Sequence, residues 1–242
     1  MHQSWIDIIL MFSVVMITGM IVIVSGKSLH SKSRLLLAFS GAFLLGLCLL
    51  QLFPYVFSGS LKSPGIWIIG GFLVQIMLEY FSEGVEHGHF HSDEDNHGHD
   101  KSFPVVVLIS IGIHAFFEGM PFGGHDHGHS HSLLVGILLH KVPVALVLSG
   151  MMVAAKFARW KSLVLLGLFA FASPAGALVY KGLASVDIGI GGDLPYIANA
   201  ILIGILLHVS TTIIFESSEG HRFNLAKFAT IIIGLGLAYL SA

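Results

Sequence analysis

The sequence predicts an all-α integral membrane protein of eight transmembrane helices with both termini on the outer side, and three observations carry that expectation. Hydrophobic residues make up 55% of the chain, and Asp, Glu, Lys and Arg only 11%, against roughly 25% charged residues in a soluble domain. The 242 residues divide into eight apolar stretches, each close to the roughly 20 residues that a helix needs to cross a hydrocarbon layer of about 30 Å. Lys and Arg concentrate in alternate loops.

The stretches run 5–25, 33–57, 64–86, 102–123, 132–155, 161–183, 194–216 and 224–241, and turn chemistry separates them. Ser25-Gly26-Lys27-Ser28, Ser58-Gly59-Ser60, two histidine-rich runs, Arg159 to Lys161, Gly189 to Asp193 and Glu219 to Arg222 mark the breaks. The first stretch reads as a retained helix, because a signal peptide starts with basic residues and this one carries Asp7, with Lys27, Lys32 and Arg34 following it. Loops after the odd-numbered spans hold Lys27, Lys32, Arg34, Lys101, Lys156, Arg159, Lys161, Arg222 and Lys227, whereas the opposite loops hold Lys62 and Lys181. The side richer in Lys and Arg is normally cytoplasmic, which puts both termini outside. Residues 1–242 then form one membrane domain with no soluble domain left over and no repeat visible by eye.

Composition excludes other classes. A net charge of −2 supplies no surplus of cations to displace counterions from a nucleic acid, so no nucleic-acid partner is expected. The single cysteine, Cys48, sits among leucines and can form neither a disulfide framework nor a thiolate zinc site. Fifteen histidines remain to be explained, and imidazole is the commonest ligand for divalent transition metals.

Polar side chains inside the spans are few, and each costs roughly 2.5 to 3.5 kcal/mol at a helix centre if charged. They are Gln51, Gln75, Glu79, His114, Glu118, His140, Lys141 and His208. His114 and Glu118 are four apart, so one helix face offers a nitrogen and an oxygen to the same ion. His140 opens His140-Lys141-Val142-Pro143 in the fifth span, where Pro143 removes a backbone donor and is expected to break the helix, as Pro121 is in the fourth. Two interrupted helices bringing histidine to similar depth suggest a shared cavity built from His114, Glu118 and His140. Lys141 repels a cation, so it either pairs with Glu118 or stands in the place of a second metal; both argue for a single-metal site. Gln51 and Gln75 read as packing or gating polars. Glu79 reaches the cytoplasmic interface or lines an exit path, and His208 is either an interhelical hydrogen bonder or a further ligand.

Two loops repeat the histidine theme. His87, His89, His91, His97 and His99 lie in a cytoplasmic segment, 87–101, and His125, His127, His129 and His131 in an outer segment, 124–131, between the fourth and fifth spans. Such tracts read as flexible collectors of borderline metals, and the outer one suits capture before passage. Nitrogen and carboxylate ligands without Met or Cys suit zinc, with iron, manganese or cadmium as alternatives, and argue against Cu(I). No cofactor is expected beyond that transported ion.

These residues resemble the ZIP family of divalent-metal transporters. His114-Ala115-Phe116-Phe117-Glu118-Gly119 is similar to the family's fourth-span signature, a His-Asn pair followed by an acid and Gly. His140-Lys141-Val142-Pro143-Val144 is similar to its fifth-span signature, in which His and a polar neighbour precede Pro and Glu. The resemblance implies a three-two-three bundle in chain order, a homodimer, an inner- or plasma-membrane location and movement of zinc or iron toward the cytoplasm. It also implies a two-metal centre in many members, from which this sequence departs. Ala115 replaces the usual Asn, Lys141 a common metal-binding residue and Val144 a bridging Glu, and Gln51-Leu52-Phe53-Pro54 matches the second-span pattern only loosely. His114, Glu118 and His140 carry over as ligands, with His208 as a candidate to compensate for those lost. A non-conducting metal sensor or buffer is the alternative reading. An intramembrane metalloprotease lacks its His-Glu-x-x-His helix here, so no enzyme is expected.

Overall fold

The computed structural model describes residues 2–26, 30–82, 105–124, 130–186, 192–216 and 225–241. Among them every regular element is helical: α1 (His2–Ser25), α2 (His30–Leu47), α3 (Phe53–Ser58), α4 (Pro64–Ser82), α5 (Val105–Gly119), α6 (Ser130–Ala154), α7 (Arg159–Ser185), α8 (Leu194–Glu216) and α9 (Leu225–Ser241). A π-helical turn, Cys48–Leu52, joins α2 to α3 as one rod, so the nine described helices make eight rods. Seven of these are long and apolar enough to cross a membrane, and α9 is a shorter apolar helix. Helices satisfy their own backbone groups, which is what lipid demands of a spanning element. Large apolar side chains such as Ile17, Ile21, Ile66, Leu73, Phe171 and Ile233 point outward, as expected of a multi-pass membrane protein whose surroundings are hydrocarbon.

The prolines act differently from expectation. Pro143 does not break its helix: α6 continues from Ser130 to Ala154 through it. The ring removes one hydrogen bond, to the carbonyl of Leu139, while the turns on either side remain bonded and buried among neighbours. Pro121 does end α5, which tightens into a 3₁₀ turn over Met120–Gly123. A further irregularity falls at Pro54, whose missing N–H coincides with the π turn just before it. Within that turn Gln51 donates Nε2–H to the carbonyl of Ser241, 2.8 Å away, tying down the end of α9.

The helices pack across chain order: α4 lies chiefly on α8, α2 on α9, α6 and α8, α1 on α6 and α7, and α5 on α7 and α4. No hydrophobic drive brings helices together in lipid, so small residues that let backbones touch decide the partners. A Cβ on Gly119 would strike the Ser173 carbonyl and one on Gly176 the Phe116 carbonyl, which fixes α5 to α7. Gly71 against the Ile201 carbonyl and Gly204 against the Ile68 carbonyl do the same for α4 and α8.

Candidate metal centre

The candidate metal centre lies where buried side chains of α5 and α6 meet. His114 and Glu118 occupy successive turns of α5, and His140 lies near the middle of α6. All three are buried, and one ligand atom from each lies within 4.8 Å of the others. The imidazoles meet edge to face with centroids 6.0 Å apart. α5 cannot turn away from this arrangement, because Ser173 of α7 donates its hydroxyl to the Ala115 carbonyl at 2.7 Å alongside the Gly119 and Gly176 contacts.

Gln75 of α4, expected as a packing or gating polar, orients His114. Its Oε1 lies 3.0 Å from His114 Nδ1, and Gln75 is fully buried. An amide oxygen only accepts, so Nδ1 carries the proton and Nε2 presents its lone pair. Glu118 Oε1 lies 3.2 Å from that Nε2. Two acceptors facing each other at this separation match adjacent ligands on a tetrahedral ion, which bonds of about 2.0–2.1 Å place about 3.3 Å apart. The fixed tautomer is the kind of support that metal-binding imidazoles usually receive from outside the ligand set.

Lys141 takes the first of its two expected roles. Nζ lies 2.5 Å from Glu118 Oε2, with both side chains buried, and 5.9 Å from the centre of the Phe169 ring. Carboxylate and ammonium thereby balance each other in a medium where either alone would be costly. Ala115 and Val144, the two other departures from the ZIP signatures, belong to one apolar cluster with Val15, Ile111, Leu148 and Phe169.

His208 does not join the trio. Its Nδ1 lies 3.1 Å from Glu79 Oε2, a pair between α8 and α4. The cytoplasmic histidines His87, His89, His91, His97 and His99 and the outer His125, His127 and His129 lie outside the described residues, while His131 is exposed in the first turn of α6. Nothing in the local sequence could have paired Gln75 with His114, which are 39 positions apart; the one signal was an amide in a largely apolar span.

A search of curated proteins found no match to the chain. A family model described as ZIP zinc transporter matches residues 86–242, more than half of the chain and the whole stretch that carries His114, Glu118 and His140. The protein therefore belongs to the ZIP zinc transporter family, whose members are transporters of divalent metals rather than enzymes.

Proposed function

We propose that this protein imports a divalent transition metal, zinc foremost, through a single intramembrane site made of His114, Glu118 and His140. The observation that carries the reading is the buried nitrogen, oxygen and nitrogen donor set within 4.8 Å, with the His114 tautomer set by Gln75. Three protein ligands leave a coordination position open to water, which suits an ion that must also leave. Before cargo arrives Lys141 holds Glu118; a divalent cation, with the stronger field, takes the carboxylate and Lys141 withdraws toward Phe169. Access alternates by movement of α5 and α6 relative to the remaining helices. The protein resides in an inner or plasma membrane, crosses it eight times with both termini outside and works as a homodimer in lipid.

In reconstituted vesicles His114→Ala and Glu118→Ala each abolish zinc uptake, whereas removal of residues 125–131 only weakens it. Full uptake in both point variants rules the site out. The ion pair that occupies Glu118 also favours a second reading, a sensor or buffer that binds metal without conducting it. Flux decides between the two: a sensor loads the site but leaves the vesicle interior free of metal.

A further inference from the structure

We infer that Glu79 and His208 form a second, weaker cation site, a relay that receives the ion from the central site on its way to the cytoplasm. The inference rests on the proposed import through His114, Glu118 and His140. The pair combines a carboxylate oxygen and an imidazole nitrogen 3.1 Å apart, on two helices composed mainly of apolar residues. Ionisable groups within membrane-spanning segments are expensive and mark ion paths where they occur.

Placement ties the pair to the central site. Gly71, Gln75 and Glu79 follow at intervals of four and so lie along one face of α4. Gly71 touches α8, Gln75 holds His114 of α5, and Glu79 holds His208. On α8, Gly204 against Ile68 and His208 one turn later share the face that meets α4. Phe72, on the same side of α4, closes over the His208 ring at 5.0 Å. The line of polar groups thus runs from Lys141 through Glu118 and His114 to Gln75, and one helical turn further along α4 to Glu79 and His208.

Exposure grades along that line. His114, Glu118 and His140 are 1–3% exposed, whereas the side chains of Glu79 and His208 are 21% and 13% exposed. With only two protein ligands, an ion here completes its shell with water, which makes the stop brief and prepares the ion for solution. The central ligands sit on α5 and α6 and the relay on α4 and α8, so Gln75, which reaches from α4 to His114, marks the place where the ion is handed over.

The test uses the full chain. Glu79→Gln and His208→Gln keep a hydrogen-bonding side chain of similar size but remove the anion or the imidazole, so a merely structural contact tolerates them. In vesicles both variants should lower the maximal zinc uptake rate about tenfold, the scale of effect when support for a metal site is lost, with the half-saturating external zinc concentration unchanged. Crystals of the unaltered protein soaked in Cd²⁺ should show anomalous density between Glu79 and His208 that is lost in Glu79→Gln. An unchanged maximal rate in both variants, or no ion density between the two side chains, overturns the relay. His114→Ala keeps the outcomes separate: if it retains uptake, the central site falls whatever the relay variants do. If it loses uptake while Glu79→Gln and His208→Gln are unaffected, the relay alone falls.

Discussion

Among the described residues the ionisable cluster around Glu118 is buried and the Glu79–His208 pair is partly exposed, and the two are protected differently. Glu118 lies between α5 and α6 with His114 on one oxygen and Lys141 on the other, while Glu79, between α4 and α8, has His208 and a share of exposed surface. A carboxylate cut off from water needs a complete counter-charge inside the protein, because the low dielectric makes an unbalanced charge cost several kcal/mol. One near the end of its helix, as Glu79 is close to the end of α4 at Ser82, sits nearer the polar interface and needs less. Lys141 is thus explained by the depth of Glu118 as much as by any role in transport.

Removing one partner should break this contrast most visibly. Glu118→Ala leaves Lys141 buried beside a void and should cost about 3–5 kcal/mol of stability, whereas Glu79→Ala should cost about 1 kcal/mol or less. Thermal unfolding in detergent measures both, and equal losses would show that the clusters do not differ in the way described. Glu118→Ala combined with Lys141→Met should recover most of the stability and none of the uptake.

The next effect separates the two buried amides. Gln75→Leu frees His114 to rotate or change tautomer and should weaken zinc binding at the central site about 10- to 100-fold. Gln51→Leu, whose amide ties only the end of α9, should leave zinc affinity unchanged. Titration of the purified protein with zinc checks the pair, and a Gln75→Leu protein of undiminished affinity would remove the amide from the site.

The smallest effect sharpens the account of how α5 is held. Gly176→Ala places a methyl group against the Phe116 carbonyl and should destabilise by about 1–3 kcal/mol. Gly167→Ala on the same helix meets open space and should stabilise by about 0.5–1 kcal/mol. Opposite signs in one melting experiment would locate the close backbone approach, and matching signs would exclude it.

Much of this organisation is legible in the sequence, for definite reasons. A membrane imposes one length and one polarity on every crossing, so the stretches 5–25, 64–86 and 194–216 closely anticipate α1, α4 and α8. The described helix of the third stretch ends at Ser82, before the boundary set at 86. The spacing of His114 and Glu118 is a local property of a helix and needs no knowledge of its neighbours. What was hidden depends on which helices touch. Gly119 and Gly176 are two among many glycines until their opposite carbonyls are known, and Gln75 acquires its role only once α4 lies on α5. Pro143 misled because a proline advertises a lost hydrogen bond but says nothing of the packing that keeps the helix running.

The Lys141–Glu118 ion pair also bears on bioenergetics. A cavity holding one ammonium and one carboxylate has no net charge when empty, so an unloaded carrier returns across the field without electrical work. Loaded with a divalent cation, the same cavity carries two positive charges, worth about 4.6 kcal/mol per 100 mV at about 2.3 kcal/mol for each charge. On the proposed mechanism uptake is electrogenic: an interior-negative membrane potential draws cargo inward, and a tethered lysine spares the protein the need for a co-transported ion to neutralise the return.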